Sequence, residues 1–74
     1  MPKIFSGKFV IKILCRHFGF SFVSQKGSHV KLGKIVVGRN VRTIVPLHRE
    51  LALGTLKGIL ELAEVDPEEF FDQT

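Results

Sequence analysis

The fold of this chain is decided by residues 20–32, which read Phe20-Ser21-Phe22-Val23-Ser24-Gln25-Lys26-Gly27-Ser28-His29-Val30-Lys31-Leu32. Two segments rich in aromatic and β-branched residues flank a Gly-containing turn, which is the pattern of a β-hairpin. In the second segment Val30 and Leu32 share one face, and His29 and Lys31 share the other. The stretch therefore predicts an antiparallel hairpin that carries an imidazole beside an ammonium on the face away from the core.

A helix is predicted before the hairpin. Ser6 is a suitable N-cap, the helix runs to about His17, and Gly19 is a C-terminal stop. Its core stripe is expected to contain Val10, Ile11, Leu14 and Phe18, with Cys15 at the edge. Phe9 and Ile13 fall roughly opposite that stripe and are expected on the outer face, where Phe9 either packs on an edge or contacts a partner.

The sheet is expected to continue beyond the hairpin. The second strand extends over residues 29–37 and is followed by a turn at 38–40. A third strand covers 41–45, and Pro46 ends it because proline cannot donate to a sheet ladder. Connections this short predict an antiparallel meander.

Two helical segments follow the sheet. The first begins at Leu53 or Thr55, ends near Glu64, and buries a stripe formed by Leu56, Ile59, Leu60 and Ala63. The run Asp66-Pro67-Glu68-Glu69 is a strong start for a short terminal helix. The order α-β-β-β-α predicts one two-layer α+β domain over residues 1–74, with a three-stranded antiparallel sheet and the helices on one face.

Charge is segregated along the chain. Residues 1–49 contain ten of the eleven Lys and Arg side chains and no Asp or Glu, whereas all seven acids lie from Glu50 onward. The ten are Lys3, Lys8, Lys12, Arg16, Lys26, Lys31, Lys34, Arg39, Arg42 and Arg49. A surface of this sign attracts polyanions, and nucleic acid is the commonest of these. The alternative is a solvated basic face that only maintains solubility.

Length and composition exclude several classes of protein. A chain of 74 residues buries only about 60% of its unfolded surface, which leaves little room for a deep small-molecule pocket. The lone Cys15, the lack of an apolar run near ~18 residues and the lack of a signal-peptide pattern predict a cytoplasmic protein. The Cys and His residues lack the paired spacing of zinc ligands, so no metal and no cofactor are expected. Most of the seven Phe residues, including Phe20 and Phe22 on one face of the first strand, are assigned to the core.

Several short segments form a set in a fixed order. They are Ser6-Gly7-Lys8, Gly19-Phe20, Gln25-Lys26-Gly27-Ser28-His29, Ile44-Val45-Pro46-Leu47-His48, Glu50-Leu51 and Gly54-Thr55-Leu56-Lys57-Gly58-Ile59-Leu60. In order and spacing the set resembles the HicA-type mRNA interferases, the toxins of HicA–HicB toxin–antitoxin pairs, whose fold is similar to double-stranded-RNA-binding domains. Two positions depart from that family: Leu53 stands where it often has Pro, and Phe9 where it often has an acid.

The resemblance implies a toxin of a type II toxin–antitoxin system: a ribosome-independent endoribonuclease that cleaves mRNA without a metal. It also implies a HicB-type antitoxin that covers the active site, so that the toxin is a monomer when free and part of a hetero-oligomer when bound. The family's catalytic histidine matches His29, and Gly27 and Ser28 match its flanking residues. We expect Lys26 and Lys31 to bind phosphate and Lys57, near the start of the second helix, to add to the RNA contacts.

The chemistry follows from RNA itself, because the ribose 2′-OH is a nucleophile within the substrate. A histidine, with an ordinary pKa near ~6.5, exchanges protons readily at neutral pH. The hypothesis is that His29 acts as general base or general acid. The alternatives are an ordinary surface histidine on a non-catalytic RNA-binding module, or a protein-interaction adaptor with no RNA affinity. His48 is interpreted as a loop residue or a support for the end of the sheet.

Overall fold

A computed structural model describes residues 4–74 of the chain. Lys3, one of the ten basic residues counted above, lies outside the described residues. The elements are α1 (Gly7–His17), β1 (Ser21–Lys26), β2 (His29–Val36), β3 (Arg39–Pro46), α2 (Leu53–Ala63) and α3 (Pro67–Asp72). The strands form one antiparallel sheet in the order β1-β2-β3. This confirms the predicted α+β class and α-β-β-β-α order, in agreement with a double-stranded-RNA-binding-domain-like fold.

The helices cover one face of the sheet and leave the other open. The buried residues of β2 and β3 on the covered face are Val30, Leu32, Val41, Thr43 and Val45. On α2 the predicted stripe is buried, namely Leu56, Ile59, Leu60 and Ala63. The Thr43 hydroxyl donates a 2.8 Å hydrogen bond to the carbonyl oxygen of Ile59, which ties α2 to β3. His29 and Lys31 point to the open face, as the alternation of residues predicted.

Both ends of α1 are capped by side chains. Ser6 Oγ accepts a 3.1 Å hydrogen bond from the backbone N–H of Phe9, so the predicted N-cap is confirmed. At the other end Gly19 has a φ of +76°, which suits a residue just past a helix. Lys34 Nζ donates a 3.0 Å hydrogen bond to the carbonyl of Phe18, the C-cap residue. Lys34 therefore stabilises the end of the helix and is not simply a solvated cation.

The buried face of α1 is wider than the sequence pattern predicted. Ile13, expected on the outer face, is buried with Val10 and Leu14. Phe9 is half-buried and stacks on Phe5 with 5.5 Å between ring centroids. Phe9 belongs to a cluster of aromatic rings that joins the start of the chain to α1 and α3, formed by Phe5, Phe9, Phe18, Phe70 and Phe71. The structure thus favours edge packing for Phe9.

β1 is an edge strand whose six residues are all exposed. Its pairing with β2 shifts register between Phe22 and Ser24, which is a β-bulge at Val23. Phe22, assigned to the core from the sequence, pairs with Leu32 but is 61% exposed. The cause is that α1 and α2 pack over β3, at the opposite edge of the sheet.

The turn between β2 and β3 lies one residue earlier than predicted. Val37 and Gly38 occupy it, with φ values of +48° and +74°. Consecutive positive φ values are typical of the two-residue turns that match the twist of a hairpin. β3 therefore begins at Arg39 and continues to Pro46 in an uninterrupted register with β2.

Candidate active site

The predicted catalytic histidine lies at the start of β2 on the open face of the sheet. The row across the sheet at this position is Lys26–His29–Pro46, and the next open-face row is Ser24–Lys31–Ile44. A shallow depression of about 530 Å³ is lined by Ser24, Lys26, His29, Lys31 and Ile44. The structure therefore places the imidazole and the two predicted ammonium groups around one depression that is open to solvent.

Ser24 and Ile44 belong to this depression but were not found from the sequence. Both are exposed, and both pair with Lys31, one on each side. The alternation of residues along β2 predicts which of its side chains share a face. Which residues of β1 and β3 lie beside them depends on the register of strand pairing. The bulge at Val23 changes that register on β1, and no local pattern marked it.

The turn before His29 is held by backbone conformation and two hydrogen bonds. Gly27 has a φ of +58°, a left-handed conformation that favours glycine. The Gln25 side-chain amide donates to the Gly27 carbonyl at 2.9 Å, and Leu47 N–H donates to the Ser28 carbonyl at 2.7 Å. Gly27 and Ser28 thus form the turn that leads into the site and are not among the residues that line the depression.

The first residue of α1 packs against the strand end beside His29. The Gly7 N–H donates a 2.9 Å hydrogen bond to the His48 carbonyl. A Cβ added at Gly7 would lie 2.0 Å from the carbonyl oxygen of Pro46, the residue that pairs with His29. Helix α1 therefore supports the end of β3 that lies beside the imidazole. The backbone of His48 takes part in this support, while its side chain is exposed.

Lys57 lies away from this depression. It is exposed on α2, in the helical layer, and does not line the space around His29. The N-cap of α2 is Ala52, which makes no side-chain capping hydrogen bond. Its role as an RNA contact stays a prediction, and any such contact would involve a different part of the molecule from the row of His29.

The open face of the sheet is cationic. The three strands lie within residues 21–46, a part of the sequence with no Asp or Glu. Within residues 4–74 the one ion pair joins Arg39 Nη2 to Glu64 Oε1 at 2.8 Å, and both side chains are exposed. The hydrogen bond from Arg39 holds the pKa of Glu64 below its ordinary value. Lys26 and Lys31 form no ion pair with any of residues 4–74. Their ammonium groups therefore remain available to an anion.

Cys15 is half-buried on α1, and its burial raises the pKa of the thiol. A thiol with a raised pKa is protonated at neutral pH, which makes it a poor nucleophile.

Among the described residues, no three or more His, Cys, Asp or Glu side chains are grouped so that they could hold a metal ion. None of the helices in residues 4–74 is long and apolar enough to cross a membrane.

The fold and the site define a small basic α+β protein that presents an imidazole and ammonium groups on an open sheet. A family model for the HicA toxin of bacterial toxin–antitoxin systems matches residues 7–65, which is most of the chain. The chain therefore belongs to the HicA toxin family, and the resemblance seen in the sequence is confirmed. Membership in a toxin–antitoxin family gives the protein a toxin role and implies an antitoxin partner. No curated protein and no solved structure matches the chain significantly.

Proposed function

We propose that this toxin is a metal-independent endoribonuclease that cleaves mRNA, with His29 as its catalytic residue. The observation that carries the proposal is the depression on the open sheet face, where His29 lies in the same row as Lys26 and one row from Lys31. A proton-transfer group next to cations is the arrangement that cleavage of a phosphodiester requires, since negative charge develops on the phosphoryl oxygens.

In the proposed reaction the ribose 2′ oxygen attacks the adjacent phosphorus as the 2′-OH loses its proton. The bond between phosphorus and the 5′ oxygen breaks, and that oxygen takes up a proton as it leaves. The products are a 2′,3′-cyclic phosphate and a free 5′-OH. His29 exchanges one of these protons, as base with the 2′-OH or as acid with the 5′ oxygen, and water exchanges the other. Lys26 and Lys31 bind the non-bridging phosphoryl oxygens.

A single histidine cannot serve as both acid and base in one step. The proposal therefore implies slow turnover compared with a nuclease that has two such groups. Ser28, in the turn before His29, orients the phosphate or caps a backbone group, and Gly27 allows the turn. Lys57 on α2 adds affinity for a longer RNA.

The antitoxin implied by the family is proposed to be a HicB-type protein that covers the depression around His29. An acidic surface on that partner would complement Lys26 and Lys31 and would compete with RNA for the same charges. On this proposal the toxin is monomeric when free, acts in the cytoplasm, and is inactive in the hetero-oligomer.

The test is cleavage of an end-labelled single-stranded RNA in EDTA by the native protein and by His29→Ala. A matched control is His17→Ala, which removes another exposed histidine at the end of α1. We expect cleavage to 2′,3′-cyclic phosphate ends by the native chain and by His17→Ala, and none by His29→Ala. Equal cleavage by His29→Ala would contradict the catalytic assignment, and loss of native cleavage in EDTA would contradict metal independence.

A second candidate is a non-catalytic RNA-binding module, which the same cationic sheet face supports. Both functions predict binding that weakens steeply with salt. They differ in whether the RNA chain is broken. Binding without cleavage by the native protein would select the binding module.

A further inference from the structure

The open face of the sheet continues beyond Lys31 into a second depression. It has a volume of about 500 Å³ and is lined by Gly19, Ser21, Val23, Gly33, Lys34, Ile35 and Arg42. Gly33 is the next open-face residue after Lys31 on β2, and its partner on β3 is Arg42. Gly33 lies four positions after His29 on β2, which is about 13 Å along a strand. The two depressions therefore follow one another along the same strands.

Arg42 covers Gly33 on this face. A Cβ added at Gly33 would lie 2.2 Å from Arg42 Nη1 and 2.8 Å from its Cζ, so the guanidinium lies where a side chain would otherwise be. Gly33 is buried as a result, while Arg42 itself is exposed. Arg42 Nη1 also donates a 3.3 Å hydrogen bond to the Val41 carbonyl. A guanidinium has five N–H donors, so most of them remain for a ligand.

The surroundings of Arg42 combine positive charge with exposed apolar surface. Ile35 is 74% exposed and Val23 is 44% exposed, and both line the depression. No acid lies on the strands that form this face. Single-stranded RNA fits such a surface, because its phosphates bind cations and its splayed bases pack on apolar side chains of a sheet.

We propose that this second depression, here called the Arg42 subsite, binds a nucleotide of single-stranded RNA beyond the two that flank the scissile phosphate, with Arg42 donating hydrogen bonds to a phosphate. The proposal rests on the proposed function, since it assigns RNA to the same sheet face. It makes Arg42 a substrate-binding residue that does not touch the reacting atoms.

The first experiment measures binding of a single-stranded dodecanucleotide in the His29→Ala background, where RNA is not cleaved. Arg42→Gln is compared with Arg16→Gln, which removes the same charge from the exposed side of α1. We expect about tenfold weaker binding for Arg42→Gln, the size of a lost charge-assisted hydrogen bond, and a salt slope lower by about one. Equal losses in the two variants, or no loss in Arg42→Gln, would overturn the proposal.

Substrate length separates the subsite from the catalytic step. With His29 intact, Arg42→Gln should lower kcat/KM for the dodecanucleotide about tenfold and leave kcat/KM for a dinucleotide unchanged. If the native protein binds RNA but does not cleave it, the proposed catalytic function is contradicted. The comparison of RNA binding by Arg42→Gln and Arg16→Gln would still test the Arg42 subsite. Equal loss on both substrates would place Arg42 at the scissile phosphate and overturn its assignment.

Gly33→Ala provides a test that keeps the charge. The added methyl group displaces the end of a flexible side chain, so the fold should tolerate it, which a melting curve would verify. We expect severalfold weaker RNA binding from Gly33→Ala alone and no further loss when it is added to Arg42→Gln. If the losses of RNA affinity from Gly33→Ala and Arg42→Gln add in the double variant, Gly33→Ala does not act by displacing Arg42, and the proposal is contradicted. A surface that binds a protein instead predicts unchanged RNA affinity in all of these variants, which would also overturn the proposal.

Discussion

Gly7→Ala tests the packing that holds α1 against the strand end beside His29. The new Cβ would lie 2.0 Å from the Pro46 carbonyl oxygen, 2.9 Å from its carbonyl carbon and 3.1 Å from the Leu47 Cα. All three are backbone atoms, so no side-chain rotation relieves the contact. The helix must move away by about 1.4 Å to reach an ordinary contact of 3.4 Å.

The expected cost can be bounded from these contacts. Overpacking against rigid neighbours costs about 1–3 kcal/mol. The hydrogen bond from the Gly7 N–H to the His48 carbonyl would be strained, and such a bond contributes about 0.5–1.5 kcal/mol. Alanine returns at most about 1 kcal/mol of helix propensity. A net loss of about 2 kcal/mol is large for a chain of 74 residues, whose total stability is on the order of 4–11 kcal/mol.

The assay is urea unfolding of the native chain, Gly7→Ala and Gly58→Ala. Gly58 is the matched control because it lies within α2 and a Cβ there would meet no atom within 4 Å. We expect Gly58→Ala to stabilise the protein by about 0.5–1 kcal/mol, the opposite sign to Gly7→Ala. Gly7→Ala with native stability would refute the reasoning, as would a loss of equal size in both variants.

Three further outcomes are expected from other contacts. Arg39 lowers the pKa of Glu64 through their hydrogen bond. The ion pair therefore stabilises the folded protein at pH values above the ordinary pKa of Glu, and this stabilisation is lost as the pH falls through the lowered pKa. Arg39→Gln should therefore flatten the acid side of stability plotted against pH, and an unchanged acid slope would contradict this. Thr43→Val should cost about 1–3 kcal/mol in urea unfolding because the Ile59 carbonyl loses its buried donor, whereas Thr43→Ser keeps the hydroxyl and should cost less. Ser6→Ala should cost about 1 kcal/mol through loss of the N-cap, and a melting temperature equal to that of the native chain would exclude the capping role.

Local sequence signals predicted the elements of the fold well. The N-caps at Ser6 and Asp66, the buried stripe of α2 and the two faces of β2 all lie as expected. Each of these depends on residues within one or two turns of a helix or along one strand. Periodicity and capping chemistry are sufficient for features of that range.

Features that depend on distant segments were missed. Ile13 is buried in the core cluster that also contains Phe5 and Phe70, and nothing near Ile13 in the sequence indicates contact with these distant residues. Phe22 is exposed because α1 and α2 pack over β3, at the opposite edge of the sheet, although its alternation suits a core strand. For the site, the sequence predicted Lys26, His29 and Lys31 on one face, but not the strand neighbours that complete it.

The exposed edge strand β1 also bears on the dynamics of the site. Every residue of β1 is exposed, and its ladder is anchored only to β2. Segments with little buried apolar surface open locally at a lower free energy than the core. Amide hydrogens of β1 should therefore exchange with deuterium before those of β3, which lies under the helices. Ser24 and Lys26 of β1 form one wall of the depression around His29, and Ile44 of β3 lies on the other side. We therefore expect the β1 wall to move when a ligand binds, while the β3 side keeps its position.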